Sequence, residues 1–291
     1  MLNKKIGVFD VINVIALSLV AFLCAYPFYY LIIYSLSNST EVARTDIWLW
    51  PAGFTFYNYE VLLRDPDIWH AFFISVARTA IGTALTVICS AFLAYLLTQR
   101  DLLGRKFFYR MTVATMYLNA GLIPYFIIMK NYGLKNNFLL YVIPGAIGAY
   151  FVILIKTYME SIPSELAEAA TVDGAGHFRI FWKIIMPVCK PILASVSVFS
   201  AVNQWNAWQD NFYLVRERSL KTLQLFLVEM LSTLDMTLIN DVNTALDKMQ
   251  KTSSLSMKAC IAVVTMLPVM LVYPFFQKYF VKGIMIGSIK G

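Results

Sequence analysis

An all-α integral membrane protein with six transmembrane helices is the fold class this sequence predicts, and three observations predict it. The chain of 291 residues is 59% hydrophobic and only 14% charged, with a mean hydropathy of +0.65. A soluble domain carries about 25% charged residues, and one soluble core does not hide so large an apolar fraction. Six apolar stretches each reach the ~20 residues that a spanning helix needs. Short polar connections between them hold clustered bases, four of them in "TQRDLLGRKFFYR".

The first span is expected at 11–34, after Lys4 and Lys5. It is too long for the apolar core of a signal peptide and no small-residue cleavage site follows, so a retained helix is expected. The remaining spans fall at 71–98, 107–129, 138–158, 187–208 and 258–280. Lys4 and Lys5 place residues 1–10 in the cytoplasm, and six spans return the C-terminus to the same side. Residues 11–291 then form one transmembrane domain, with a cytoplasmic loop at 160–187 and a long external loop at 209–257. In that loop "LKTLQLFLVEMLSTL" is apolar at helical spacing, so part of it is expected to be helical.

Several function classes drop out. Cys24, Cys89, Cys189 and Cys260 are scattered in or beside apolar runs, a pattern of inert packing rather than of zinc or disulfides. No glycine loop followed by Lys-Ser/Thr is present to cradle a phosphate, so the chain should not bind ATP itself. No nucleophile–base pair stands out, and His70 and His177 read as structural. The net charge of +7 suits anionic lipid heads, and no polar face of bases and aromatics suggests nucleic acid.

The segment "SELAEAATVDGAGHFRIFWKIIMPVCKP", 164–191, is unlike its surroundings. Glu165 suits the positive end of a helix that "ELAEAATVD" propagates, and Gly174 and Gly176 break it. About ten residues give roughly 15 Å, too short to span and too polar to sink into lipid. Leu166, Ala169, Ala170 and Asp173 share one face by their spacing. Such a helix either docks into a groove on a soluble partner or lies at the interface joining two spans.

Glu168-Ala169-Ala170, then three residues, Gly174, then nine residues and Ile184-Ile185-Met186-Pro187 resembles the E-A-A loop of binding-protein-dependent ABC importer permeases. The family pattern ends I-x-L-P, and Met186 replaces its leucine. "PAGFTFYNYE", "AFLAYLLTQRDLLGRKFF", "GLIPYFIIMKNYGLKNN" and the ending "YPFFQKYFVKGIMIGSIKG" resemble segments of sugar permeases, extending the likeness over nearly the whole chain. The nearest picture is the second permease of the maltose-type, lipoprotein-C-like oligosaccharide group, or of an alginate or similar acidic-oligosaccharide importer.

That resemblance implies a type I importer fold in a bacterial inner membrane. It also implies a second permease, two ATPase subunits that carry ATP and Mg, and an external or periplasmic solute-binding protein. Carried over, Glu168, Ala169, Ala170, Asp173, Gly174 and Pro187 couple to an ATPase: Glu168 pairs with a base in its cleft, the alanines allow close approach, and Gly174 permits the bend into the fifth span.

Other residues keep two readings. Arg78 lies inside the second span, where it either snorkels or pairs structurally, or meets a substrate carboxylate. Asn203, Trp205, Asn206 and Trp208 offer amides and aromatic faces for a sugar path, or form an interfacial aromatic belt. Arg216, Arg218 and Lys221 either meet the binding protein or are a solvated loop. An ion-coupled secondary transporter is the alternative class, but it calls for a carboxylate near the bilayer midplane and none of the six spans holds one. A non-transporting interaction subunit is the third.

Overall fold

The computed structural model describes residues 7–42, 45, 47–118, 120–237 and 255–274. Among the described residues helices dominate, and a single isolated antiparallel bridge joins Ser37 and Phe54. Three helices among the described residues are long and apolar enough to cross a membrane: α1 (Val8–Ser35), α3 (Pro66–Thr98) and α12 (Leu255–Pro274). A bent pair, α8 (His177–Val188) and α9 (Lys190–Asn206), passes the same test when taken together. The chain divides into two compact units, Met1–Ile68 with Leu227–Leu267 and Trp69–Phe226 with Pro268–Gly291.

In the first unit, Asp10 accepts from the Gly7 backbone N–H at 2.9 Å and starts α1. Every residue from Val8 to Ala25 is exposed. A helix apolar all round and bare on all sides has lipid, not water, as its solvent. Pro27 sits inside α1 without ending it, which membrane helices tolerate. The end of α1 is held by α2 (Tyr57–Arg64). There Asn58 Nδ2 donates to the carbonyls of Ser35 and Ser37 at 2.9 and 3.1 Å. The Ser35 carbonyl is one of those that a helix end leaves without intrahelical partners, and Ser37 lies just past that end. The asparagine of "PAGFTFYNYE" is thus a buried clamp on the first span.

In the second unit, the expected third and fourth spans are not continuous helices. The third is split into α4 (Arg105–Tyr117) and α5 (Leu122–Asn131). Leu118 is extended and Gly121 has φ +81°, so the helix cannot run through. The fourth begins with a 3₁₀ turn at Phe138–Tyr141 and becomes α-helical only in α6 (Ala149–Met159). Pro144 lacks an N–H, and the backbone around it is paired by α3 instead. Thr86 Oγ1 lies 2.8 Å from both the Gly145 and the Gly82 carbonyls and shares its one O–H between them, and the Gly148 N–H donates to Ser90 Oγ at 3.1 Å. Broken backbone survives in a bilayer only when protein satisfies it in this way.

The fifth span is bent by 83° between α8 and α9. A π-helical turn over Phe181–Ile185 precedes the bend, and Pro187 and Pro191 flank it. For the sixth, 258–274 lies in α12, and 275–280 falls outside the described residues. So do residues 1–6 and 238–254, and with them Lys4, Lys5 and the middle of the long loop. That loop is helical where its apolar spacing predicts, in α11 (Leu223–Thr237).

Candidate functional site

The E-A-A segment forms α7 (Glu165–Val172), with Glu165 and Glu168 in its first turn. It closes through two hydrogen bonds, Gly174 N to Thr171 O at 3.0 Å and Ala175 N to Ala170 O at 2.9 Å. These are the paired bonds of a Schellman stop, which needs a left-handed residue at Gly174. Gly174 supplies it with φ +79°. The motif glycine therefore turns the chain out of α7 into α8. The larger bend, into the membrane stretch of α9, comes later, at Cys189.

The helix has two faces. Glu165, Leu166, Glu168, Ala169, Val172 and Asp173 are exposed. Ala170 is buried, with Ala167 and Ala175 packed beside the same core. Spacing grouped Ala170 with Leu166, Ala169 and Asp173, but the helix instead spends it on anchoring itself. That core joins α3, α6, α7, α8 and α9 through Tyr95, Phe151, Ile155, Phe181 and Val196 among others. Phe181 lies 5.3 Å from the Phe92 ring and 5.4 Å from the Tyr95 ring, and Tyr95 OH is 3.4 Å from His177 Nδ1. Pro187 is exposed in the last turn of α8, two residues before the corner.

A second constellation lies around Arg78, which is only 3% exposed. Its guanidinium grips Asp210 with two bonds, Nη1 to Oδ1 at 3.0 Å and Nη2 to Oδ2 at 2.5 Å. Nε donates to Gln204 Oε1 at 3.2 Å and Nη1 to the Ala207 carbonyl at 3.1 Å. The Tyr141 ring lies under the charge at 4.5 Å. Arg78 thus ties α3 to the end of α9 and to α10 (Gln209–Leu214). Beside it, fully buried Asn211 donates to Tyr141 OH and to the Leu220 carbonyl.

Two open clefts adjoin this pair. One, of about 380 Å³, has Arg78, Tyr125, Asn203, Gln204 and Asp210 in its wall. The other, of about 600 Å³, is lined by Tyr125, Asn206, Trp208, Gln209 and Asp210 among others. Of the four residues singled out in "NQWNAWQDN", Asn203, Asn206 and Trp208 reach the clefts. Trp205 is buried and packs edge-on to Phe72, 6.5 Å between ring centres. Gln204, Asp210, Asn211, Tyr125 and Tyr141 were not singled out. The available signal was Arg78 itself, since a buried guanidinium requires an acid.

The basic segment is fixed from two sides. The Arg216 N–H donates to Asn136 Oδ1 at 2.6 Å, and His70 Nε2 donates to the Ser219 carbonyl at 2.6 Å. Arg216 and Arg218 are exposed, and Lys221 Nζ lies 5.6 Å from the Phe226 ring centre.

Residues 86–286 match the family model described as binding-protein-dependent transport system inner membrane component. The chain is 32% identical over 292 residues to Protein LplC of Bacillus subtilis (strain 168), covering 99% of this chain and 97% of that protein. It is 32% identical over 289 residues to the polygalacturonan/rhamnogalacturonan transport system permease protein YtcP of the same organism, covering 99% and 100%. Among solved structures it is similar to a chain from the crystal structure of a bacterial ABC transporter involved in the import of the acidic polysaccharide alginate. The TM-score is 0.83 at 30% identity, over 96% of this chain and 99% of that one. The family match spans more than half of the sequence and the two relatives span nearly all of it, so the chain belongs to the binding-protein-dependent inner membrane components, the permease subunits of ABC importers.

Proposed function

We propose that this chain is one of two different permeases in an ATP-driven oligosaccharide importer, working with two ATPase subunits and an external solute-binding protein. ATP drive, rather than ion coupling, follows from the family. The oligosaccharide class is supported by the relatives, which include a polygalacturonan/rhamnogalacturonan permease, an arabinooligosaccharide permease and a melibiose/raffinose/stachyose permease. In this reading both termini and 160–187 face the cytoplasm, 209–257 faces outside, and 11–291 acts as one transmembrane domain. ATP and Mg bind on the ATPases.

The observation that carries the reading is the two-faced α7. Glu168, Ala169 and Asp173 face outward, where an ATPase cleft takes them, while Ala170 and the Gly174 turn fasten the helix to the permease core. Movement of the docked helix then reaches α8 and, through Pro187 and the corner, α9. Arg216, Arg218 and Lys221 meet the binding protein.

Reconstitution tests this. The two permeases, the ATPase and the binding protein in proteoliposomes should accumulate an oligosaccharide only with ATP and binding protein present. Uptake that persists without ATP, or follows a proton or sodium gradient, would sink the reading.

A further inference from the structure

The two clefts beside Arg78 share one wall, made of Tyr125, Ala207 and Asp210. At about 380 and 600 Å³, each falls within the range of small-molecule sites, roughly 300–1,000 Å³. Their polar groups suit hydroxyls. Asn203 and Gln204 face one cleft, Asn206 and Gln209 the other, and each planar amide both donates and accepts.

Asp210 stands between them in a fixed position. Its Oδ1 accepts from Arg78 Nη1 and from the Asn211 N–H at 2.8 Å, and among the described residues its Oδ2 accepts only from Arg78 Nη2. A carboxylate has about four acceptor sites, two on each oxygen. Oδ2 therefore keeps one, and the Arg78 Nη2 beside it keeps one N–H. An adjacent donor and acceptor held by a buried pair can take a hydroxyl without reorganising, and the pair carries no net charge to favour or repel a uronate.

We propose that the two clefts are consecutive sugar subsites, taking two neighbouring rings of the transported oligosaccharide with Asp210 as the acceptor shared between them. This rests on the oligosaccharide reading above and adds to it that this chain, and not only the second permease, holds the cargo.

The test uses the whole importer in proteoliposomes with Asn203→Leu and Asn206→Leu, one for each cleft. Both asparagines are exposed and neither bonds within the chain's described contacts, so folding should survive. Trigalacturonate and raffinose are the probes, with three readouts: uptake, ATPase stimulation by the binding protein, and recovery of all subunits from detergent. Loss of hydrogen bonds to a bound ring should cut uptake of the transported probe about tenfold for each substitution. Subunit recovery and ATPase stimulation should stay at the wild-type level. Asn203→Gln, which keeps the amide, should restore part of the uptake. Unchanged uptake in either variant overturns the proposal. So does loss of uptake matched by loss of ATPase stimulation or of subunit recovery, because the clefts would then serve assembly. Wild-type uptake of neither probe overturns the oligosaccharide reading, and this inference with it.

Discussion

Arg78 has four of its five N–H groups engaged, two of them by Asp210. Removing one partner leaves a buried charge unpaired, which costs about 3–5 kcal/mol, whereas replacing both with apolar groups can be close to neutral. Arg78→Gln and Asp210→Asn should each lower the thermal midpoint of the detergent-purified permease sharply. Arg78→Met combined with Asp210→Leu should lower it less than the separate effects of Arg78→Met and Asp210→Leu added together, and additivity would show that the residues do not act as a pair. An internally neutralised guanidinium also has little left for a uronate, so uptake by Arg78→Gln should fall equally for trigalacturonate and raffinose. Selective loss of the acidic probe would reverse this view. The charge at position 78 was legible in the sequence, because a lone arginine in an apolar run stands out. Its partner was not, since Asp210 lies 132 residues away and nothing local links them. Ala170 was half legible: spacing set its helix, but only packing tells which side of that helix is the inner one.

Helices α1, α3 and α12 could be read from composition because each is one long apolar run, and the prolines inside α1 and α12, Pro27 and Pro268, do not end them. The breaks in the expected third and fourth spans could not. Pro144 and Gly121 were visible as helix breakers, yet twenty apolar residues also argue for a continuous span, and the deciding groups lie elsewhere. Thr86 and Ser90 on α3 pair the loosened backbone at Gly145 and Gly148. Thr86→Val, nearly the same in shape, should remove the O–H that the Gly145 and Gly82 carbonyls share, leave the Gly145 carbonyl without a donor from α3, and cost about 1–3 kcal/mol in a thermal melt. No loss of stability would mean that the carbonyl finds another donor. At the stop of α7 the constraint is conformational. Gly174 has φ +79° and open space where a Cβ would stand, so substitution is strained by backbone alone. Gly174→Val should impair transport, and Gly174→Asn should impair it much less, since asparagine tolerates the left-handed region. Equal uptake by the two variants would remove the turn from the account.

The second unit joins the proposed docking helix and the clefts through one run of chain. Helix α7 carries the outward face, the Gly174 turn leads to α8, Phe181 fastens α8 to Phe92 and Tyr95 of α3, and the 83° corner leads to α9 and the clefts. If ATPase closure enters at α7, the permease needs both the docking face and this fastening, and the two should fail differently. In the docking proposed for α7, Glu168→Lys would put a like charge against a basic ATPase cleft, and it changes nothing buried. It should leave the permease melting as wild type, with both permeases still co-purifying, but recover far less ATPase in a detergent pull-down. Phe181→Ala should do the opposite. Its ring is 1% exposed, and removing it costs about 3–5 kcal/mol in a packed core. The ATPase should still be recovered, because Glu168, Ala169 and Asp173 remain outside, but ATP turnover stimulated by the binding protein should no longer be matched by uptake. The discriminating quantity is sugar accumulated per ATP hydrolysed, measured in the same vesicles. Glu168→Lys should lower both numbers together and leave their ratio intact, whereas Phe181→Ala should lower the ratio. A Phe181→Ala importer with wild-type stoichiometry would show that the ring only stabilises the fold and that coupling reaches α9 by another route.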